Sequence, residues 1–350
     1  MSHKKTLPVS ILTGFLGSGK TTLLNHLIKQ PQMKETLVLI NEFGQIGIDH
    51  DLVAESLEEV AVELSSGCLC CSIRGDLVKT LRDAQWRFAR EGKPWFKRVV
   101  IETTGLADPA PILHTLMTDE VIVRQYHLEG VLTVVDAVNG SNTLDQQEES
   151  RKQVAVADRL LISKTDLADA DTLQALQHHL RQFNPAAPQI VVTHGEYDPE
   201  QLWAIGPYHP DSRGSQVQAW LQAEAYHIEE DDHHHHHHDV NRHNEQIRAI
   251  CITLDEPVHA QALEQWLELL LMLKGPDFLR IKGMVNVVGF EGPMVIHGVQ
   301  HIFHNPVQLP TWPSEDHRSR MVFITRDMEE AQLRGTLDIL EAANRAISSK

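Results

Sequence analysis

The sequence predicts an α/β protein, in which a mostly parallel sheet wrapped by helices is followed by a smaller α+β C-terminal domain. From Pro8 to about Val192, short apolar runs alternate with segments of helical periodicity, which is the pattern of β-α-β units. Several of these runs are apolar along their whole length, as expected for strands with both faces covered. From Gly206 to Asn244 the hydrophobic pattern disappears, and a second set of elements follows.

The predicted elements divide the chain into a first domain at 1–205, a His-rich flexible linker at 206–245 and a C-terminal domain at 246–350. The strands predicted in the first domain are Val9–Leu12, Leu37–Asn41, Arg98–Glu102, Gly130–Asp136, Arg159–Ser163 and Gln189–Val192. The C-terminal domain is predicted to follow a βαβββα order. Its strands are Gln246–Leu254, Leu279–Val288, Met294–Phe303 and Met321–Thr325, and its helices are Ala260–Leu273 and Glu329–Ala346.

Composition and charge limit the classes of protein that fit. The 350 residues include 31 basic and 48 acidic side chains, and the formal charge of −17 opposes non-specific binding to nucleic acid. No uncharged apolar run reaches the roughly 18 residues of a transmembrane helix, and the run after Met1–Lys5 is too short for a signal peptide. Three of the four cysteines are clustered, which favours metal binding or catalysis over disulfides. We therefore expect a cytoplasmic protein that binds neither nucleic acid nor membranes.

A phosphate-binding loop is predicted between the first strand and the first helix. The segment Gly14-Phe15-Leu16-Gly17-Ser18-Gly19-Lys20-Thr21 follows an apolar run and precedes a helical pattern from Thr22 to Lys29, which is the context that a P-loop requires. Its backbone N–H groups would surround phosphate, Lys20 would reach the β- and γ-phosphate oxygens, and the Thr21 hydroxyl would bind Mg²⁺. The first domain is therefore predicted to be a P-loop NTPase domain. The predicted nucleotide contacts of this segment are Gly14, Gly17, Ser18, Gly19, Lys20, Thr21 and Thr22.

A strand that ends in a carboxylate, Arg98–Glu102, supplies the next candidate residues. In a P-loop fold this strand lies beside the P-loop strand, so Glu102 is expected near Mg²⁺ or the attacking water. Gly105 is expected to sense the γ-phosphate through its N–H. The predicted catalytic residues are thus Lys20, Thr21 and Glu102. The alternative is that Glu102, Thr103 and Thr104 cap the helix that follows.

A second strand-end motif, Ser163-Lys164-Thr165-Asp166, resembles the guanine-specificity sequence in which Asn, Lys and Asp follow a strand. Asp166 would accept hydrogen bonds from guanine N1–H and N2–H₂, a pair of donors that adenine lacks, and the Lys164 stem would pack along the base. Ser163 stands where Asn is usual, which weakens the pattern but leaves the discriminating carboxylate. The alternative is that Thr165 or Asp166 caps a helix. GTP is therefore the predicted nucleotide.

Clustered thiols predict a soft-metal site, because Cys68, Cys70 and Cys71 lie within four residues. Thiolates suit Zn²⁺ or Cu⁺, but so short a segment cannot supply a closed four-cysteine cage, so a further ligand or an open position is expected. Glu42 is the candidate partner, because its segment follows the second strand, where switch regions sense the nucleotide. The alternative is that the cysteines are buried small hydrophobes.

A histidine run provides a second metal feature. It predicts flexible, low-affinity binding of Zn²⁺, Ni²⁺ or Co²⁺. The alternatives are an inserted purification tag and a solvated polar loop. The members of the run are His233, His234, His235, His236, His237 and His238.

Taken together, these motifs resemble the CobW-like P-loop GTPases of the YjiA type, which are relatives of the nickel-insertion GTPases for urease and hydrogenase. The matching segments are Gly14–Thr21, Asn41–Gly44, Gly67–Cys71, Glu102–Gly105 and Ser163–Asp166. The resemblance runs over essentially the whole chain. It implies a GTPase that binds Zn²⁺ through Glu42 and the cysteine segment and hands metal to a client metalloprotein, with Co²⁺ or Ni²⁺ as alternative metals.

Two residues depart from the family pattern. Ser163 leaves the role of the base-pocket Asn unfilled, and Gln45 stands where some relatives have a further acidic residue. We expect a metal chaperone in which GTP hydrolysis gates the thiolate site, and we leave self-association open. The alternatives are a metal-storage protein with a regulatory nucleotide domain and a P-loop kinase that acts on a small molecule.

Overall fold

The computed structural model describes residues 6–40, 61–63, 71–90, 93–199, 247–300, 302–303 and 306–348. The chain divides into two compact units, Met1–Arg181 with Ala187–His209 and Gln182–Ala186 with Pro210–Lys350. The linker predicted at 206–245 lies outside the described residues, so the boundaries at 205 and 246 stay a prediction. No helix within the described ranges is long and apolar enough to cross a membrane.

The first unit contains a parallel sheet with helices between its strands. The strands are β1 (Leu7–Gly14), β2 (Thr36–Ile40), β3 (Ala61–Glu63), β6 (Arg98–Glu102), β7 (Tyr126–Asp136), β8 (Arg159–Ser163) and β9 (Gln189–Val191), while β4 (Ala89–Arg90) and β5 (Lys93–Pro94) form a separate pair. The sheet order is β3-β2-β6-β1-β7-β8-β9. The helices are α1 (Lys20–Leu27), α2 (Cys71–Arg87), α3 (Ala110–Thr118), α4 (Glu120–Val123), α5 (Gly140–Gln146), α6 (Glu148–Ala155) and α7 (Ala170–Phe183).

The prediction of a mostly parallel sheet is confirmed, and each strand predicted in the first domain is present. The short strand β3 was missed, since three residues are too few to show a period. Four successive side chains of β1, Val9 to Leu12, are at most 1% exposed. Because successive side chains point to opposite faces of a sheet, both faces at β1 are covered.

The sheet topology brings the predicted nucleotide motifs to one edge. Leu12 pairs with Glu102, Gly14 pairs with Val134, and Asp136 pairs with Ser163. All these pairs are parallel, so the carboxyl ends of β6, β1, β7 and β8 lie on the same side. The chain leaves β1 toward β2 and leaves β7 toward β8, in opposite directions across the sheet. Such a reversal opens a crevice at the carboxyl edge, where open α/β sheets bind ligands.

The second unit is an antiparallel sheet with helices, and the predicted α+β class is confirmed. The strands are β10 (Ile247–Leu254), β11 (Phe278–Val285), β12 (Met294–Val299), β13 (Ile302–Phe303), β14 (Val307–Gln308) and β15 (Ser319–Arg326). The main order is β10-β15-β11-β12-β13, and β14 pairs with β12. The helices are α8 (Ala260–Lys274), α9 (Glu330–Arg334) and α10 (Leu337–Ser348). Trp266 of α8 is 1% exposed and meets Phe323 of β15 edge-on, with ring centroids 6.0 Å apart.

The strand predicted at Met294–Phe303 is a hairpin in the structure. Gln300 has a positive φ of 52°, and the chain reverses there so that Val299 pairs with Ile302. A left-handed residue interrupts an extended strand, which explains why the prediction of one strand was wrong.

The helix predicted at Glu329–Ala346 is likewise divided, into α9 and α10. The Thr336 hydroxyl lies between the two helices and donates to the Leu333 carbonyl at 2.6 Å. It also accepts a hydrogen bond from Trp266 Nε1 at 2.9 Å. A local hydroxyl-to-carbonyl bond satisfies a carbonyl at a helix end and competes with continuation of the helix.

Candidate functional site

The loop after β1 has the backbone geometry of a phosphate cradle. Gly17 and Gly19 have φ angles of 70° and 93°, a region that side chains disfavour. A Cβ on Gly14 would lie 2.3 Å from the Val134 carbonyl oxygen, so no larger residue fits there. Helix α1 begins at Lys20, two residues before the start predicted at Thr22. The unpaired N–H groups of a helix start favour a bound anion.

Lys20 is held inside this loop by carbonyl groups. Its side-chain ammonium donates to the Gly14 carbonyl at 2.7 Å and to the Phe15 carbonyl at 3.1 Å. Burial lowers the pKa of the ammonium, and the negative charge of Glu102 opposes that shift. Charged phosphate oxygens are stronger acceptors than neutral carbonyls, so a bound phosphate can take over these bonds. Ser18 Oγ is buried and has no hydrogen-bond partner in the part of the chain that the structure describes, which also fits a ligand.

Thr21 and Glu102 meet beside the loop. The Thr21 hydroxyl donates to Glu102 Oε1 at 3.4 Å, and Glu102 is 6% exposed. A hydroxyl and a carboxylate are the oxygen ligands that Mg²⁺ prefers, so these two residues fit a magnesium site.

The capping alternative for the Glu102 segment is wrong. Helix α3 begins at Ala110, whose N–H binds Asp108 Oδ1 at 2.9 Å. Thr103 donates its hydroxyl to Thr13 Oγ1 at 2.7 Å and so joins β6 to β1. The Glu102 carboxylate therefore does not cap α3, and it lies at the sheet edge where the predicted nucleotide motifs meet.

Gly105 packs directly against the phosphate loop. A Cβ at this position would lie 2.6 Å from the Leu16 backbone nitrogen and 2.7 Å from its Cα. Any residue larger than glycine would push the Gly105 loop away from the phosphate loop, because a Cβ atom cannot lie this close to backbone atoms unless the backbone moves. The predicted γ-phosphate sensor therefore lies in contact with the predicted phosphate cradle.

A cavity of about 280 Å³ lies beside the loop and contains the predicted base-binding residues. Gly19 and Thr22 line it from the phosphate loop, and Ser163, Lys164 and Asp166 line it from the end of β8. The three predicted base-motif residues are therefore brought together with the P-loop in one concave site.

Ser163 joins the base motif to the phosphate loop. Its hydroxyl lies 2.6 Å from the Ser18 carbonyl oxygen and 3.3 Å from the Val135 carbonyl oxygen. This hydroxyl thus connects β8 to the loop after β1, even though serine is shorter than the asparagine usual at this position. The N-cap alternative for Thr165 or Asp166 is wrong, because Asp169 accepts from the Thr172 N–H at the start of α7.

Residues of this cavity, and one residue that contacts its lining, were not predicted from the sequence. His194 and Gly195 line it, with φ angles of 52° and 78°, and a Cβ on Gly195 would lie 3.0 Å from the Thr22 carbonyl oxygen. The signal that could have found them is Gly195 just after a predicted strand, where a turn reaches the same sheet edge. Asp136 was also missed; it ends β7 and lies 2.7 Å from Lys164.

Both units match known families. Residues 8–191 match the family model described as the CobW/HypB/UreG nucleotide-binding domain. Residues 247–340 match the model described as the cobalamin synthesis protein cobW C-terminal domain.

The chain belongs to the CobW/HypB/UreG family. Among its relatives, the zinc chaperone YjiA of Escherichia coli (strain K12) is 33% identical over 328 residues, which cover 94% of this chain and 96% of YjiA. The zinc-regulated GTPase metalloprotein activator 1 of Schizosaccharomyces pombe is 36% identical over 207 residues, covering 57% of this chain and 49% of that protein. The crystal structure of Zn(II)-bound YjiA GTPase from E. coli superposes with a TM-score of 0.67 at 28% identity, covering 96% of this chain and 99% of that one.

The predicted metal residues of this CobW-family chain fall mainly outside the described residues. Glu42, Cys68 and Cys70 lie there, and so does the run from His233 to His238. Cys71 is the first residue of α2, but its side chain is not described. Within the ranges that are described, no group of three or more His, Cys, Asp or Glu side chains could hold a metal ion. The metal ligand set therefore stays a prediction.

Proposed function

We propose that this protein is a GTPase that acts as a chaperone for zinc, or for another divalent metal, and passes the metal to a client metalloprotein. One observation carries the proposal. The phosphate loop, Glu102, Gly105 and the Ser163–Asp166 turn meet at one sheet edge, in a chain that matches a zinc chaperone over 94% of its length.

In the proposed reaction the chain's own residues bind and orient GTP. Lys20 would exchange its two carbonyl acceptors for β- and γ-phosphate oxygens, and Asp166 would accept from the guanine edge. Thr21, with Glu102 beside it, would hold Mg²⁺, which when bound supplies positive charge that offsets the charge of the phosphates. Glu102, nearly buried at the end of β6, would orient the attacking water. Gly105 would contact the γ-phosphate only in the GTP state.

The metal step rests on the predicted ligands Glu42, Cys68, Cys70 and Cys71. Glu42 follows β2, which lies beside β6 in the sheet, and the cysteine segment follows β3, which lies beside β2. When GTP orders the nucleotide site, the arrangement of the metal ligands would change with it, and hydrolysis would then change the affinity for the metal. The domain division at 1–205, 206–245 and 246–350, a cytoplasmic location and the choice of Zn²⁺ over Co²⁺ or Ni²⁺ belong to the same proposal.

The first experiment measures GTP hydrolysis in Mg²⁺ buffer by metal-free protein, with and without one equivalent of Zn²⁺. The matched variant carries Cys68→Ala, Cys70→Ala and Cys71→Ala, and a Cys251→Ala variant serves as the control for loss of a thiol elsewhere. We expect Zn²⁺ to change the rate in the parent and in the control, but not in the triple variant.

Two results would contradict the proposal. If the parent and the triple variant respond to Zn²⁺ alike, the thiols are not the regulatory site, and metal storage by the histidine run is favoured. If Zn²⁺ affinity is identical in the apo, GTP-analogue and GDP states, nucleotide cannot gate the metal, because a ligand without differential affinity shifts no equilibrium.

A further inference from the structure

The loop that carries Gly105 is held from behind by a side chain of helix α6. Gln153 is 1% exposed, and its side-chain amide donates to the Gly105 carbonyl at 3.2 Å and to the Ala107 carbonyl at 3.0 Å. One buried glutamine therefore binds two carbonyls that lie two residues apart in the loop between β6 and α3. A buried amide donor that bridges two backbone acceptors restricts their orientation more than an apolar contact would.

These bonds fix the peptide group that directly follows the Gly105 N–H, the predicted γ-phosphate sensor. The peptide bond is planar and trans, so a carbonyl that points toward Gln153 directs the N–H of the same peptide, that of Leu106, the opposite way. The Gly105 backbone is at the same time pressed against Leu16 of the phosphate loop. The glutamine on one side and the phosphate loop on the other thus leave this peptide little rotational freedom.

The glutamine is itself anchored to the central sheet. The Thr133 hydroxyl of β7 donates to the backbone carbonyl of Gln153 at 2.7 Å. Strand β7 is hydrogen-bonded to β1, the strand that leads into the phosphate loop. A second, weaker connection runs from Lys152 of α6 to Asp108 at 3.8 Å. The support for the loop is therefore built from rigid elements on which the phosphate loop also depends.

We propose that Gln153 is a positioning residue for recognition of the γ-phosphate: it sets the orientation of the loop at Gly105 and so separates GTP from GDP. The inference rests on the proposed function, because it assumes that GTP is the substrate. GDP lacks the group that this loop senses, so loss of the two hydrogen bonds weakens GTP-state binding and hydrolysis and leaves GDP binding nearly unchanged.

The test compares the full-length parent with Gln153→Leu, which keeps a similar volume but removes the donor, and with Gln153→Glu, which is isosteric but replaces the donor with an acceptor. Affinities for GDP and for a non-hydrolysable GTP analogue are measured by calorimetry, and kcat and KM for GTP in steady state. We expect both variants to bind the analogue about tenfold more weakly, in line with two lost hydrogen bonds, and to bind GDP within about twofold of the parent.

Gln189→Leu is the matched control. Gln189 also donates its side-chain amide to a backbone carbonyl, that of Gln177 at 3.0 Å, in the same unit but away from the loop. We expect this control to keep the parent ratio of analogue to GDP affinity. A thermal unfolding curve for each variant checks that the protein is folded in the assay.

The outcomes separate this inference from the proposed function. A parent that neither binds nor hydrolyses GTP overturns the proposed function and the inference with it. If the parent hydrolyses GTP and the folded Gln153 variants keep the parent's ratio of analogue to GDP affinity, the inference alone is overturned. Equal weakening of both nucleotides also overturns it, because that is the result of a general structural role.

Discussion

The side-chain nitrogen of Lys164 lies 2.7 Å from Asp136 Oδ2. Asp136 is the last residue of β7, and Lys164 comes directly after the neighbouring strand β8. Asp136 also accepts from the N–H groups of Val138 and Asn139 and from the Asn139 side chain. Burial raises the pKa of the Asp136 carboxyl, but these hydrogen bonds, led by that of Lys164, outweigh it and hold the pKa below its ordinary value. Asp136 is therefore a charged anchor for Lys164, which lines the cavity.

The anchor matters because Lys164 has a left-handed backbone, with a φ of 56°. For a residue other than glycine this conformation costs about 1–2 kcal/mol, and the ion pair with Asp136 offsets the cost. The turn that begins at Lys164 carries Asp166, the residue predicted to read guanine. Asp136 therefore holds the start of the turn that carries this predicted base contact.

Asp136→Asn should therefore raise KM for GTP about tenfold to a hundredfold with little change in kcat, because a charge-assisted hydrogen bond of about 1.5–3 kcal/mol is lost beside the predicted base contact and not at the γ-phosphate. Steady-state kinetics with GTP measure both KM and kcat. Glu35→Gln is the control, since it neutralises another ion pair of 2.7 Å, with Lys97, that is exposed and remote from the cavity. A fall in kcat with unchanged KM would contradict this role.

Gly105→Ala should abolish GTP hydrolysis but leave GDP binding within about threefold. The added Cβ would lie 2.6 Å from the Leu16 nitrogen, so the loop must move away from the phosphate cradle by a distance that disrupts catalysis. Gly335→Ala is the control, because Gly335 has an ordinary helical φ of −60° and its Cβ would come no closer than 3.2 Å to another atom. Full activity of Gly105→Ala would show that the observed contact is not needed for turnover.

Thr21→Ala should raise the Mg²⁺ concentration needed for half-maximal GTP hydrolysis by about tenfold, since the predicted site loses one of its oxygen ligands. Thr21→Ser keeps the hydroxyl that lies 3.4 Å from Glu102 Oε1 and should restore the parent dependence. The measurement is a Mg²⁺ titration of the steady-state rate at saturating GTP. Equal Mg²⁺ requirements for Thr21→Ala and Thr21→Ser would remove Thr21 from the metal site.

Residues at strand ends were the most predictable part of this site. Lys20, Glu102 and Asp166 follow apolar runs, and parallel pairing alone places such residues at one edge. What the sequence did not predict depends on contacts between distant segments. The bonds of Gln153 to Gly105 and of Asp136 to Lys164 join residues 48 and 28 positions apart, and no local period encodes them.

The errors in the second unit have a related cause. Apolar residues lie on both sides of Gln300, and helical periodicity continues through Thr336, so both segments were predicted as single elements. A left-handed turn at Gln300 divides the strand. The Thr336 hydroxyl donates to the Leu333 carbonyl and accepts from Trp266 Nε1, and the helix is divided at this residue. In the second case a local bond and one bond from the distant Trp266 together overrode the periodic pattern.

A last prediction concerns stability at high pH and a buried tyrosine. Tyr126 is 1% exposed, and its hydroxyl donates to the Leu81 carbonyl at 2.7 Å. Burial raises the pKa of Tyr126 well above its ordinary value, although a hydrogen bond with Gln85 opposes this. In the unfolded chain the phenol ionises near pH 10, whereas in the folded chain it stays neutral. The unfolded state thus holds fewer protons above that pH, so the contribution of Tyr126 is full below pH 10 and is lost as the pH rises further.

Tyr126→Phe isolates this contribution. It removes one hydrogen bond, so we expect it to lower the free energy of unfolding by about 1 kcal/mol at pH 8. Above pH 10 the parent should lose stability more steeply than the variant, by up to about 1.4 kcal/mol per pH unit, so the two curves converge. Urea unfolding of both proteins at pH 8, 10 and 11 measures the difference, and lysine deprotonation affects both alike. Parallel curves across this range would mean that Tyr126 ionises in the folded protein as readily as in the unfolded chain.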